Sequence, residues 1–131
     1  MPSVSHELSF EPDEGSPSDA RLFVTHWTRA WGYRHLIPTA ALLTSELVTN
    51  AVAHTHQPFT VSVDDTGQGV RVAVIDGSSA PPVVRQADEV SEHGRGMHLV
   101  DRLASEWGTD AVPGGKQVWF ELALDQSSKL L

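Results

Sequence analysis

The segment 46-ELVTNAVAH-54 places two polar side chains, Glu46 and Asn50, in a run that is otherwise mostly apolar and small. Their spacing of four residues puts both on one face of a helix. Burying a carboxylate and a carboxamide is costly unless something pairs with them. A hydrated Mg²⁺ with phosphate oxygens would do so, and a neighbouring loop would do so equally well, so the pair alone leaves both interpretations open.

Helical spacing extends upstream of this segment. The apolar pattern predicts a helix from Thr39 to about His54, and a second one over residues 19–31. Ser18 is the expected N-cap of that second helix, and Gly32 suits the left-handed residue that ends it. Before it, apolar residues alternate over positions 4–10, which predicts a short edge strand.

Downstream of the segment, two pairs of β-branched or aromatic runs are joined by polar, glycine-containing connections, the pattern of hairpins. A loop and a third helix separate the two hairpins. The predicted elements are strands at 59–63 and 70–76, a loop at 77–93, a helix at 96–107, and strands at 109–112 and 117–124.

These elements predict an α+β class. Hairpins grouped around three helices favour a two-layer sandwich, with a mixed, mostly antiparallel sheet and the three helices on one face. The 131 residues, of which 40% are hydrophobic, fit a single domain over 1–131. The last residues, 125–131, are expected to be flexible.

Charge and composition narrow the possible partners. A formal net charge of -8 with only 9 Lys and Arg argues against a nucleic-acid partner and favours protein partners. The chain has no cysteine, so neither a disulfide nor a thiolate metal site can form. Without a signal peptide or an apolar stretch of membrane-spanning length, we expect a soluble cytoplasmic protein.

Two further groups of residues are candidates for ligand binding. Asp76 ends a strand, where a carboxylate can accept a hydrogen bond from an exocyclic amine and so distinguish adenine from guanine; Asp-Gly is also a common turn. Gly94-Arg95-Gly96 stands before the third predicted helix, where backbone N–H groups and Arg95 can approach phosphate oxygens. A simple hinge would have the same sequence.

The order of these motifs resembles the GHKL (Bergerat-fold) ATPases, especially the small bacterial anti-sigma-factor serine/threonine kinases and related ATP-binding regulators. Residues 46–54 look like the N box of that family, and residues 74–77 look like its adenine box. Residues 94–100 resemble its phosphate box, and residues 114–122 resemble its terminal hairpin. The similarity covers about 38–124.

The resemblance implies Mg-ATP as the bound cofactor and assigns roles to residues. Asn50 would be the Mg²⁺ ligand, and Glu46 would be the catalytic carboxylate that orients or deprotonates the attacking group. A lid over about 77–95 would close on the nucleotide. The remaining nucleotide contacts would come from Asp76, Gly77, Gly94, Arg95, Gly96 and Met97.

The sequence departs from the family pattern in two places. The adenine box normally has glycines two and four residues after its aspartate, where this chain has Ser78 and Ala80. The terminal hairpin often offers Thr or Ser near the adenine, and Gln117 is expected at that position. The first departure motivates an alternative function, a nucleotide-gated interaction module without phosphoryl transfer.

The resemblance also implies a function. The first hypothesis is a kinase that phosphorylates a small antagonist protein and sequesters a sigma factor, as a possible homodimer. A scaffold that binds no nucleotide is compatible with the acidic composition, but the order of the motifs disfavours it.

Overall fold

Five strands and three α-helices make up the described part of the chain. The computed structural model describes residues 4–77 and 92–124, with 92–96 described by their backbone alone. The tail expected at 125–131 lies outside these residues. The elements are β1 (Val4–Phe10), α1 (Ser16–Ala30), a 3-10 turn (Arg34–Leu36), α2 (Ile37–His54), β2 (Phe59–Asp65), β3 (Gly69–Asp76), α3 (Glu92–Leu103), β4 (Glu106–Val112) and β5 (Gly115–Ala123).

The strands form one sheet in the order β1-β2-β3-β5-β4. Every strand pairing between described residues is antiparallel, so the mixed sheet we expected is an antiparallel one there. The α+β class and both hairpins are confirmed. β1 is an edge strand, as the alternation of its residues predicts.

The hydrophobic core lies between the sheet and the helices. Alternate residues of the inner strands point to this side, because side chains in a strand alternate between its faces. α2 packs against α1, α3 and β3 and supplies the centre of the core. The fully or nearly fully buried members include Leu43, Leu47, Val48, Val61, Val63, Val72, Val74, Met97, Phe120 and Leu122.

The apolar composition of α2 fits either a membrane-spanning helix or the core helix of a folded domain. By length and composition alone, Arg34–His54 could cross a membrane, with a mean hydropathy of 1.3, so our expectation that no stretch approaches that length was wrong. The structure buries 44% of that window. Since α2 contacts two helices and a strand, the core accounts for its apolar surface.

The start of α1 differs from the prediction. The helix begins at Ser16, so Ser18 is not its N-cap, and Gly15 precedes it. Ser16 is 2% exposed, and its hydroxyl donates to the carbonyl oxygen of Glu11. The Pro-, Gly- and Ser-rich stretch 11–17 predicts a loop, but Pro17 lies in the first turn of α1, where proline is accepted because its missing N–H is not needed. Gly32 has the expected left-handed backbone, with φ of 86°.

The boundary between α3 and β4 also differs, because α3 ends at Leu103 and not near Trp107. The N–H of Ser105 already bonds the carbonyl of Glu121 in β5, which starts the sheet pairing. Because glycine often follows the last residue of a helix, Gly108 predicts a helix C-terminus, but it lies within β4. It lies against the ring of Trp119, where an added Cβ would be 2.9 Å from Cζ2, so close packing explains this glycine.

Candidate functional site

The polar pair on α2 keeps the geometry that its spacing predicts. Glu46 and Asn50 lie one turn apart and are both half-buried. The Oδ1 atom of Asn50 is buried and accepts no hydrogen bond within the described part of the chain. The helix therefore holds a shielded acceptor for which the described residues supply no donor.

An unsatisfied buried oxygen of this kind costs about 1–3 kcal/mol, because it has lost water without gaining a donor. Mg²⁺ prefers oxygen ligands, keeps several of its waters, and is commonly completed by substrate phosphates. Within residues 4–77 and 92–124 no group of three or more His, Cys, Asp or Glu side chains could hold a metal ion. Asn50 thus fits a Mg²⁺ ion that arrives together with phosphate.

A buried ion pair lies where β3 ends and β5 begins. Asp76 and Lys116 are partners in the β3–β5 register, and their side chains are 3% and 11% exposed. The Nζ atom of Lys116 lies 3.8 Å from Oδ2 of Asp76. Charged side chains are rarely buried unless they are paired, and this pairing explains how both reach the interior.

Glycine is required for this strand end to close. A Cβ on Gly115 would lie 1.9 Å from the carbonyl oxygen of Asp76, a backbone atom that cannot move aside alone. A Cβ on Gly77 would lie 2.6 Å from Oε1 of Gln57, a side-chain end that can rotate away. Lys116 follows Gly115 directly, so the close approach also fixes the position of Lys116.

Gln117, which was expected near the base, lies on the face of the sheet opposite to Asp76. Alternate residues of β5 from Lys116 onward are buried toward the helices, whereas Gln117 pairs with Ile75 and is only half-buried, which places it on the other face. The prediction assigned 113–116 to a turn, but β5 already begins at Gly115. Sequence reasoning did not single out Lys116, whose place beside Asp76 follows only from the strand register.

The glycines of the predicted phosphate-binding turn lie inside α3. Gly94, Arg95 and Gly96 have helical backbone, because α3 begins at Glu92, and the turn prediction was wrong. Glycine disfavours a helix by only about 1 kcal/mol, which the burial of Met97 just downstream offsets. The first four N–H groups of a helix, from the N-cap to N3, lack acceptors within it, so the N–H of Gly94 remains a candidate donor to a phosphate oxygen.

Two other parts of the predicted site have different outcomes. Met97 is 1% exposed and belongs to the hydrophobic core, so a nucleotide contact from it would have to come from its backbone. The lid predicted at 77–95 lies outside the described residues at positions 78–91, and its role stays a prediction. Gly77, at the start of that segment, is exposed next to Asp76.

Membership of a family follows from a match to a family model. The model of the histidine kinase-like ATPase domain matches residues 10–122, which include α2, the paired ends of β3 and β5, and α3. The chain belongs to this family, and the resemblance to the GHKL ATPases is confirmed at that level. A search of curated proteins finds no match.

A solved structure has the same fold, the crystal structure of the RsbU and RsbW domains of Rv1364c from Mycobacterium tuberculosis. The TM-score is 0.68 at 21% sequence identity, and the alignment covers 94% of this chain and 32% of that one. The chain thus spans about a third of the length of the protein in that structure. At this identity the likeness shows the fold alone.

Proposed function

We propose that this chain binds Mg-ATP beside α2 and acts as a serine/threonine protein kinase of the anti-sigma type. The observation that carries the proposal is the buried Oδ1 of Asn50, which has no donor in the described part of the chain and lies one turn from Glu46. Membership of the histidine kinase-like ATPase family supports ATP as the ligand.

The described residues divide the work of binding between two elements. Asn50 would offer its carboxamide oxygen to Mg²⁺, and Asp76 would accept a hydrogen bond from the amino group of adenine. Because α2 packs against β3, the helix with the metal ligand lies over the strand that ends at Asp76. The N–H groups at the start of α3, which also contacts α2, would donate to phosphate oxygens.

Phosphoryl transfer needs mainly positioning and charge neutralisation from a protein. Mg²⁺, when bound, would neutralise charge on the phosphates. Glu46 would accept a hydrogen bond or a proton from the attacking hydroxyl group, which keeps that oxygen aligned. Glu46 lies one turn before Asn50, so its carboxylate is on the same side of α2 as the proposed Mg²⁺ ligand.

The binding step is tested by calorimetric titration with Mg-ATP, and with ATP in a chelator. We expect binding that weakens at least tenfold when the metal is removed. Equal affinity in the two titrations would contradict the role of Asn50, and no binding in either would overturn the proposed function.

The transfer step is tested with Glu46→Gln, which keeps the shape of the side chain and removes its charge. We expect ATP affinity within about threefold of the parent, and a loss of labelled phosphate transfer to serine of a single-domain antagonist protein of at least 100-fold, since a general base contributes about 10²–10⁴. An unchanged rate would remove Glu46 from the mechanism.

Measurements of ATP binding, phosphate transfer and partner binding together distinguish the kinase from the alternative function. A chain that binds ATP, transfers nothing, and binds its protein partner differently with and without ATP would be a nucleotide-gated interaction module. Ser78 and Ala80 stand where the family pattern has glycines, which is the reason to test this alternative function directly. Partner affinity measured in both nucleotide states distinguishes the two functions.

The partners belong to the same proposal. The neighbouring structure contains an RsbU domain together with an RsbW domain. We expect this chain to be cytoplasmic, to bind a sigma factor and its antagonist, and to pair as a homodimer. β1 is at an edge of the sheet, with Val4 and Leu8 50% and 47% exposed, which suits pairing with a second copy. Sedimentation equilibrium gives the oligomeric state.

A further inference from the structure

Asp76 and Lys116 are the only charged residues that are buried within residues 4–77 and 97–124. They are partners in the β3–β5 register, and both belong to the helix side of the sheet. The Nζ atom of Lys116 lies 3.8 Å from Oδ2 of Asp76. The two charges therefore enter the protein interior as a pair at the end of β3.

A buried ion pair is by itself a weak source of stability. The attraction between the two charges roughly offsets the cost of removing them from water, and apolar residues of similar volume often stabilise a protein equally well. Stability alone therefore does not account for two charges at this place. The proposed contact with the adenine amino group accounts for Asp76, and Lys116 requires an explanation of its own.

The orientation of the Asp76 carboxylate depends on its partners. The last torsion angle of an aspartate side chain has broad, two-fold preferences, so the side chain alone does not fix where its oxygens point. Lys116 approaches Oδ2, and the start of its strand is fixed because a Cβ on Gly115 would lie 1.9 Å from the carbonyl oxygen of Asp76. The ammonium group thus ties the orientation of the carboxylate to the backbone of β5.

The environment of the carboxylate would change if this ammonium were removed. Asp76 would then carry a buried charge without its cation, and such a group turns toward water or another donor because burial without a partner is costly. A carboxylate offers about four acceptor sites, so an ammonium and the amino group of a base can share it. Lys116 can therefore strengthen the bond between Asp76 and the base without touching the nucleotide.

We propose that Lys116 is a positioning residue for base recognition, which holds the Asp76 carboxylate toward the 6-amino group of adenine. This role rests on the proposed function, because it requires that Asp76 faces the base. It requires no contact between Lys116 and the nucleotide. It predicts that the hydrogen bond to the amino group is lost when the ammonium is removed, although Asp76 is still present.

Calorimetric titration of the full chain with Mg-ATP and with Mg-purine riboside triphosphate tests the proposal, because the second nucleotide lacks only the 6-amino group. The amino-group ratio is the dissociation constant of the purine riboside nucleotide divided by that of ATP. In the parent we expect a ratio of at least about tenfold, as for a hydrogen bond to a charged group. In Lys116→Met the ratio should fall below about threefold, because ATP binds more weakly while the purine riboside nucleotide is little affected.

Two further variants separate positioning from a merely structural role. Lys116→Arg keeps a cationic donor, so its ratio should stay within about threefold of the parent ratio. Lys116→Gln is the second neutral variant, used if Lys116→Met does not fold in urea titrations, and its uncharged amide should lower the ratio at least about threefold. A lysine that only stabilises the sheet would change both affinities together and leave the ratio as it is in the parent.

Arg71→Met is the matched control. Arg71 forms an ion pair of 3.1 Å with Glu121 between the same two strands, but on the opposite face of the sheet, so its loss should not change the amino-group ratio. An unchanged ratio in folded Lys116→Met or Lys116→Gln would overturn the role of Lys116 and leave the proposed function intact. A parent with equal affinity for the two nucleotides would overturn the base contact of Asp76 as well, and a parent that binds no nucleotide would overturn the proposed function.

Discussion

Replacement of Asn50 by leucine, which has a similar shape, should make the nucleotide-free protein more stable and abolish its response to Mg-ATP. The buried Oδ1 of Asn50 accepts no hydrogen bond in the described structure. An orphaned acceptor costs about 1–3 kcal/mol, and leucine also favours a helix over asparagine by a few tenths of a kcal/mol. We therefore expect a gain of about 1–2 kcal/mol, allowing for contacts of the amide nitrogen that leucine loses.

The expected effect of nucleotide is opposite in sign. A ligand at 100 times its dissociation constant stabilises the folded state by about 2.7 kcal/mol. The parent should gain this amount in Mg-ATP, whereas Asn50→Leu should gain little. The order of stability therefore reverses, with the variant more stable without nucleotide and the parent more stable with it.

Thermal and urea unfolding, each with and without Mg-ATP, measure both effects. For a chain of 131 residues, 1 kcal/mol corresponds to about 3–5 °C in Tm. Thr44→Val is the matched control. Thr44 Oγ1 is also on α2 and is buried with no hydrogen-bond partner among the described residues, but Thr44 is not at helical spacing from Asn50. It should stabilise the protein in both conditions and leave the response to nucleotide intact.

Two results would refute this reasoning. A nucleotide-free Asn50→Leu protein less stable than the parent would mean that Oδ1 has a donor after all. A variant that gains as much stability as the parent from Mg-ATP would mean that this oxygen is not a metal ligand. The Thr44→Val control shows whether either result is a general effect of replacing a residue of α2.

Two further predictions concern stability. Gly115→Ala should lower the free energy of unfolding in urea by at least about 2–3 kcal/mol, because its Cβ would lie 1.9 Å from a backbone oxygen. Gly67→Ala is the control, since Gly67 has a positive φ but open space around it, and it should cost only about 1 kcal/mol. Equal costs would contradict the close approach. Tyr33 donates a 2.7 Å hydrogen bond to Asp65, and burial, followed by that bond and the carboxylate charge, raises the pKa of Tyr33 from 10.0 to about 12. The folded state thus holds the tyrosine proton more tightly than the unfolded state, so this stabilisation is complete below about pH 10 and is lost as pH rises toward 12. Tyr33→Phe should lower stability by about 1 kcal/mol at neutral pH, and the difference from the parent should shrink over that window in urea titrations; a constant difference would contradict the linkage.

Local signals in the sequence predicted α2 and the hairpins because burial and periodicity agree there. The apolar spacing of α2 reflects contacts with α1, α3 and β3, and the turn glycine Gly67 has the positive φ of 84° that its hairpin needs. Glu46 and Asn50 stood out for the same reason, as polar exceptions in an apolar pattern.

The errors in the element boundaries came from glycines and prolines, whose local signals have more than one cause. Pro17 indicated a loop but lies in the first turn of α1, and Gly108 indicated a helix end but makes room for Trp119. Gly94 and Gly96 indicated a turn, yet the backbone there is helical. In each case a tertiary contact or a position within a helix decided the outcome, and neither can be read from neighbouring residues.

The assignment of Lys116 shows why strand register matters for this site. A shift of one residue between two strands exchanges the faces of every side chain, so Lys116 and Gln117 would trade places beside Asp76. The β3–β5 register is held at both ends by glycine. A Cβ on Gly115 would meet the carbonyl of Asp76 at 1.9 Å, and a Cβ on Gly69 would meet the carbonyl of Leu122 at the same distance.

Both glycines lack the Cβ that would prevent these contacts, so the observed register puts the cation Lys116, and not the neutral Gln117, beside the Asp76 carboxylate. The buried ion pair therefore depends on backbone packing at residues that are not themselves charged. We expect a change that relaxed either glycine contact to weaken this pairing, even with Asp76 and Lys116 both unchanged.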